Sequence, residues 1–241
     1  KNEMRTLIRT PIYALNSLVM VFIAPFLLVL PLIGGGLNND PDLQFLYNLI
    51  ENGEKHPWLI LVISGIITLF MLVNPSIATT FSREGKNIWI LKNIAVEPDV
   101  QVLGKFLAGY SISFVGAFFT AIVAMFSFRI SFANTIMVIV LCSLALIPIN
   151  AMSLFIDLLR PKLTWNNPQE AIKQNFNAVA AMLLGFVLLS IFGIIAFLIT
   201  KLNLSVLMLF AIMSAILLIF SYASLQLVRK NATKAYARME A

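Results

Sequence analysis

The sequence predicts an all-α integral membrane protein with six transmembrane helices. Three observations lead there. Hydrophobic residues make up 60% of the 241 residues and charged ones 12%, with a mean hydropathy of +0.91; a soluble domain is about half apolar and about a quarter charged. The apolar residues gather into six runs, each long enough for a hydrocarbon core that takes roughly 20 residues as helix. Lys and Arg collect in alternate connections between those runs. Short alternating segments of a β-barrel are missing, and continuous runs of this length satisfy their backbone in lipid only as helices.

Residues 1–12 place Met4, Leu7, Ile8 and Ile12 on one helical face, with Lys1, Arg5 and Arg9 largely off it. That pattern predicts a helix lying in the membrane interface. The first span covers 13–33, where Pro25 and Pro31 bend the helix and Gly34-Gly35-Gly36 ends it. The loop 34–57 carries Asp40, Asp42, Glu51 and Glu54, and Asp40-Pro41 reads as the cap and first residue of a short surface helix with Leu43, Leu46, Tyr47 and Ile50 on one face. The second span covers 58–81, with Asn74-Pro75-Ser76 as its kink. Residues 82–105 form a mixed-charge loop. In it Ile88, Trp89, Leu91 and Ile94 make an apolar face amid Arg83, Glu84, Lys86 and Lys92, the pattern of a short amphipathic surface helix.

The third span, 106–128, repeats small residues every four positions at Gly109, Ser113, Ala117 and Ala121, a helix-packing stripe. A tight turn at Arg129 leads to the fourth span, 132–156, which contains Cys142 and Pro148 to Asn150. The second loop, 157–177, is punctuated by Pro161 and Pro168, and Asn166 or Asn167 caps an expected helix running from Pro168 through Glu170 and Lys173. The fifth span covers 178–200 and the sixth 204–228, joined by a turn at Lys201 to Asn203, and a short basic tail starts at Arg229.

Of the 17 Lys and Arg residues, Lys55, Arg129 and Lys201 fall on one side of the six spans and the other fourteen on the opposite side. The positive-inside rule then puts both termini in the cytoplasm of a multi-pass cell-membrane protein. The loops 82–105 and 157–177 are cytoplasmic in this orientation. The chain opens on Lys1 and shows no cleavable leader, so it is expected to be one portion of a longer polypeptide. Scattered cations argue against nucleic-acid binding.

Catalytic chemistry finds no foothold, and the chain is expected not to be an enzyme. The single His56 stands beside Pro57 at the outer surface and cannot build a multi-histidine metal site. No GxxxxGK[ST] phosphate loop occurs, so ATP is not expected on this chain. Asp157 and Arg129 stand at span boundaries, leaving the spans without the buried carboxylate that an ion-coupled carrier usually needs.

The run Ser-Arg-Glu-Gly-Lys at 82–86, then Trp-Ile-Leu-Lys at 89–92, then Pro98 and Gly104-Lys105, resembles the coupling-helix loop of ABC exporter permeases of the second type. The match is most direct at Glu84, Gly85, Leu91, Pro98, Gly104 and Lys105. The lead-in from Leu7 to Asn16 and the stretch Asp157-Leu158-Leu159-Arg160-Pro161-Lys162 with Glu170-Ala171 and Lys173-Gln174-Asn175 look like a narrower branch of permeases that join two six-span halves, here the C-terminal half. The resemblance implies a permease subunit that contacts a separate cytoplasmic ABC ATPase through Arg83, Glu84, Gly85, Lys86, Trp89, Leu91 and Lys92. A second contact is expected at Arg160, Lys162, Glu170 and Lys173. ATP and Mg would sit on that partner, and a second six-span half, or a second copy, would complete the pathway. The all-apolar spans favour an amphipathic or lipid-like cargo. Two rival functions remain open at this level: an ion-coupled secondary transporter, and a non-transporting scaffold or sensor subunit.

Overall fold

The computed structural model describes residues 5, 9–33, 44, 58–128 and 130–239. Among them every regular element is helical: α1 (Pro11–Ile33), α2 (Leu59–Leu72), a 3-10 helix (Ser82–Asn87), α3 (Ile88–Asn93), α4 (Pro98–Phe128), α5 (Phe132–Leu159), α6 (Phe176–Thr200) and α7 (Val206–Arg238). By length and composition α4, α5, α6 and α7 can each cross a membrane, as a membrane-embedded protein requires. The expected interfacial helix over 1–12 falls mostly outside the described residues, with Arg5 and Arg9 exposed. Outside them also lie the acidic residues of loop 34–57, His56 and the turn residue Arg129.

α5 is the central helix and packs against α2, α4, α6 and α7, while α1 packs chiefly on α4. Lipid is as apolar as Leu, so helices in it associate through close packing more than through burial of oily surface. The small residues of α4 serve that packing. Gly109, Ser113, Ala117 and Ala121 are all buried, as are Gly116 and Thr120. A Cβ at Gly109 would lie 2.9 Å from the Ile77 side chain, so only glycine lets that segment approach. The stripe's neighbours are therefore in this same chain.

Pro148 sits inside α5 without ending it. Proline removes the donor that would pair with the carbonyl four residues back. That carbonyl, on Leu144, shares the hydroxyl of Ser221 of α7, 3.2 Å away, with Leu217 O at 2.7 Å. The neighbouring Ser143 carbonyl accepts from Tyr110 Oη of α4 at 3.1 Å. The kink is thus paired by the bundle itself.

Four expectations are corrected by this fold. The span expected over 58–81 as a helix kinked at Asn74-Pro75-Ser76 stops being helical at Leu72, because Pro75 lacks an N–H and Asn74 turns back on Met71 O at 3.3 Å. The loop expected over 82–105 is shorter, since Pro98 begins α4 as a first-turn proline and two helical turns precede Phe106. The helix expected from Pro168 is a set of turns over 168–174, with Asn167 Oδ1 accepting from Gln169 N at 3.0 Å. The true cap is Asn175, whose side chain accepts from Asn177 N at 2.9 Å to open α6. The tail beyond 228 continues as helix to Arg238.

Candidate functional site

The segment between α2 and α3 replaces helix by side-chain bonding. Asn74 Oδ1 accepts from Ser76 N at 3.0 Å and from Ser76 Oγ, while Asn74 Nδ2 donates to Ser17 O of α1 at 3.1 Å. Thr79 Oγ1 donates to Pro75 O and Thr80 Oγ1 to Ser76 O, each at 3.0 Å. Buried backbone outside a regular helix must find its partners elsewhere in the protein, and these bonds supply several of them.

The segment then meets a buried acid. Asp157, 0% exposed at the end of α5, accepts from Phe81 N at 2.6 Å, Ser82 N at 3.1 Å, Ser82 Oγ, and Asn177 Nδ2 of α6 at 2.9 Å. All four partners are donors, so both carboxylate oxygens act as acceptors. Asn177 Nδ2 also donates to Arg160 O at 2.7 Å. Ser82 Oγ in turn accepts from Lys162 N at 2.9 Å, and Ser82 O accepts from Trp165 Nε1 at 2.8 Å. The Trp165 ring lies over Gly85, whose φ of +53° and ψ of −131° suit glycine almost alone. A Cβ there would also stand 2.7 Å from the ring.

Charge pairs lock the same segment sideways. Lys105 Nζ of α4, 3% exposed, meets Glu84 Oε1 at 2.5 Å and lies 5.2 Å from the Phe81 ring centroid. The Arg83 guanidinium stacks 5.6 Å from the Tyr13 ring of α1 and donates to Thr80 Oγ1 at 3.4 Å. Phe81 is wholly buried with Leu154, Leu158, Val228 and Tyr236, and the Tyr236 ring meets it edge-on at 5.8 Å.

The structure thus sorts the sequence-derived contact residues into two sets. Arg83, Gly85 and, in large part, Glu84 face inward and hold the segment in place. Lys86, Trp89 (57% exposed) and Lys92 face outward, with Ile90 and Ile94 beside them, and Leu91 is half-buried. Of the expected apolar face, Ile88 anchors in the core while Trp89 and Ile94 stand free of it. In the second loop Arg160 and Lys173 are exposed. Lys162 Nζ caps the carbonyls of Glu170 and Gln174 at 3.3 and 2.9 Å, and Glu170 Oε2 accepts from Asn166 N at 3.4 Å. The two loops meet through Ser82 with Lys162 and through Gly85 with Trp165.

Sequence reasoning missed Ser82, Asn177 and Trp165, and placed Asp157 at a boundary without a role. The available signal was the carboxylate itself, standing at the end of a long apolar run. Among the described residues no group of three His, Cys, Asp or Glu side chains is placed to hold a metal. No protein-family model, curated protein or solved structure matches this chain.

Proposed function

We propose that this chain is the membrane permease subunit of an ATP-driven ABC-type exporter. Its contact with a separate cytoplasmic ATPase would be the outward face formed by Trp89, Ile90 and Ile94, flanked by Lys86 and Lys92. The observation that carries this reading is mechanical. An exposed apolar and basic helix, α3, continues directly from a segment braced to α1, α4, α5 and α6 through Ser17, Lys105, Asp157 and Asn177. A push on α3 would therefore move helix ends rather than flex a loop. Aromatic anchors dominate interface energetics, and the basic flank would set orientation.

The reading includes six spans, both termini in the cytoplasm and a multi-pass position in the cell membrane. Its support is charge placement: all described Lys and Arg residues except Lys201 lie toward the Asp157 end or beyond it. ATP and Mg belong to the partner, and a second six-span half or a second copy completes the pathway. The exported cargo is amphipathic or lipid-like. Co-expression with the cognate Walker-motif ATPase tests the contact. Trp89→Ala with Lys92→Glu should abolish co-purification while leaving the permease folded. Retention of the ATPase, with normal substrate-stimulated hydrolysis, rejects the reading.

One observation favours the ion-coupled alternative: Asp157 is a carboxylate inside the bundle. Its four donors leave little acceptor capacity for a cation, so we read it as a brace. Cargo uptake by liposomes on an ion gradient without ATP would reverse that choice.

A further inference from the structure

At the end of the bundle away from Asp157, a cavity of about 760 Å3 opens between α2, α5, α6 and α7. Trp58, Thr200 and Lys201 line its outer mouth and Leu69, Ala145 and Leu217 its inner end, and exposed Val62, Ile66 and Phe197 leave it open along one side as well. From Trp58 to Leu69 the helix rises about 16 Å at 1.5 Å per residue, about half of a 30 Å hydrocarbon core. The cavity therefore has the depth of one leaflet, and its volume is within the range of ligand-sized sites.

The wall is apolar in a particular way. Three hydroxyls line it, yet each is spent on its own helix. Ser64 Oγ donates to Leu61 O at 2.9 Å, Thr68 Oγ1 to Ser64 O at 2.7 Å, and Thr200 Oγ1 to Phe197 O at 2.7 Å. No hydroxyl hydrogen is left to bind a polar acceptor deep inside. Gly65 and Gly193 also line the space, and a Cβ on either would meet nothing within 4 Å. These glycines leave width rather than permit a helix contact. The charged group of the lining is Lys201, whose ammonium lies 4.8 Å from the Phe197 ring centroid at the mouth.

We infer that this cavity binds one acyl chain of an anionic lipid, with the lipid headgroup against Lys201. An apolar cavity does not hold water and takes apolar guests, which specifies the chain. The cation at the mouth specifies the headgroup, because a zwitterionic head brings its own positive charge to the same ammonium. This site needs neither an ATPase nor transport, so it stands or falls separately from the exporter reading.

The test uses the full chain in phosphatidylcholine nanodiscs, doped with a phosphatidylglycerol that carries a diazirine at the end of one acyl chain. The matching phosphatidylcholine probe is the comparison. After irradiation, adducts are mapped by peptide mass spectrometry. Peptides of α2 and α6 that line the cavity should carry several-fold more adduct with the anionic probe. Lys201→Ala should reduce that excess to the phosphatidylcholine level, and Lys201→Arg should keep it. Gly65→Leu with Gly193→Leu should remove cavity adducts of both probes while adducts around the exposed Phe119, in the middle of the third span, persist. Equal labelling by the two probes in the unaltered chain overturns the headgroup assignment. Cavity adducts that survive the glycine substitutions overturn the site. Lys201 is exposed in a turn, so its two variants decide the matter even where the glycine pair fails to fold.

Discussion

Asp157 holds four donors from two other segments and is wholly buried. A carboxamide of the same shape has one acceptor oxygen and would aim an NH2 at the Phe81 or Ser82 donors. Asp157→Asn should therefore cost about 2 to 3 kcal/mol, the desolvation of buried polar groups left unpaired. Thermal unfolding in detergent checks this, and an unchanged melting temperature would deny the brace. Glu84 is tied to a deeply buried ammonium. Glu84→Ala removes a charge-assisted bond at that ammonium and should destabilise by about 1.5 to 3 kcal/mol, and the double change with Lys105→Met should recover part of it. At Gly85, a side chain meets both a forbidden backbone region and the Trp165 ring. Gly85→Ala should cost at least about 1 to 3 kcal/mol, with only part regained when Trp165 is also shortened.

At the scale of elements, the segment 74–93 is a stiff bracket between α2 and α4, and its two faces have different duties. Substitutions on the outward face should separate from those on the inward face. Trp89→Ala, on a residue 57% exposed, should change stability by less than about 0.5 kcal/mol while weakening ATPase capture. Asp157→Asn should do the reverse in order, loosening the bracket first. Limited proteolysis reads this directly, since the Lys86 and Lys92 bonds should become cleavable in the Asp157 variant and stay protected in the Trp89 variant. Similar protection in both would mean that the bracket does not depend on the acid. The amphipathic pattern over 88–94 was legible in sequence, but the division of its apolar residues was not. Ile88 and Trp89 are neighbours on α3, yet one is core and the other surface, because the helix has six residues and is fixed from one side.

For the whole molecule, the expected topology puts Lys92 and Lys201 on opposite sides of the membrane. Cys142, the only cysteine, is 0% exposed and will not compete for a reagent. In intact cells a membrane-impermeant maleimide should label Lys201→Cys and spare Lys92→Cys until the membrane is opened. Labelling of both from outside would overturn the six-span arrangement.

The apolar runs by themselves determined the helical class and the membrane-length cores of α4 to α7, but not their ends, because a continuous apolar run of that length pairs its backbone in lipid only as a helix. Pro75 and Pro98 were visible as well, but their outcome depended on neighbours. Where a proline frees a carbonyl, only the tertiary structure shows whether another helix supplies a donor, as Ser221 does for Leu144. The site followed the same rule. The residues of loop 82–105 could be named from their charge and resemblance. Their sorting into brace and surface was decided by Asp157 and Trp165, 75 and 83 positions from Ser82, with Asn177 holding Asp157 from 20 positions further along the chain. Hydrogen bonds across such separations leave no periodic trace in sequence. The cavity beside Lys201 is of the same kind, formed by four helices that each look ordinary alone and enclose a space only when packed.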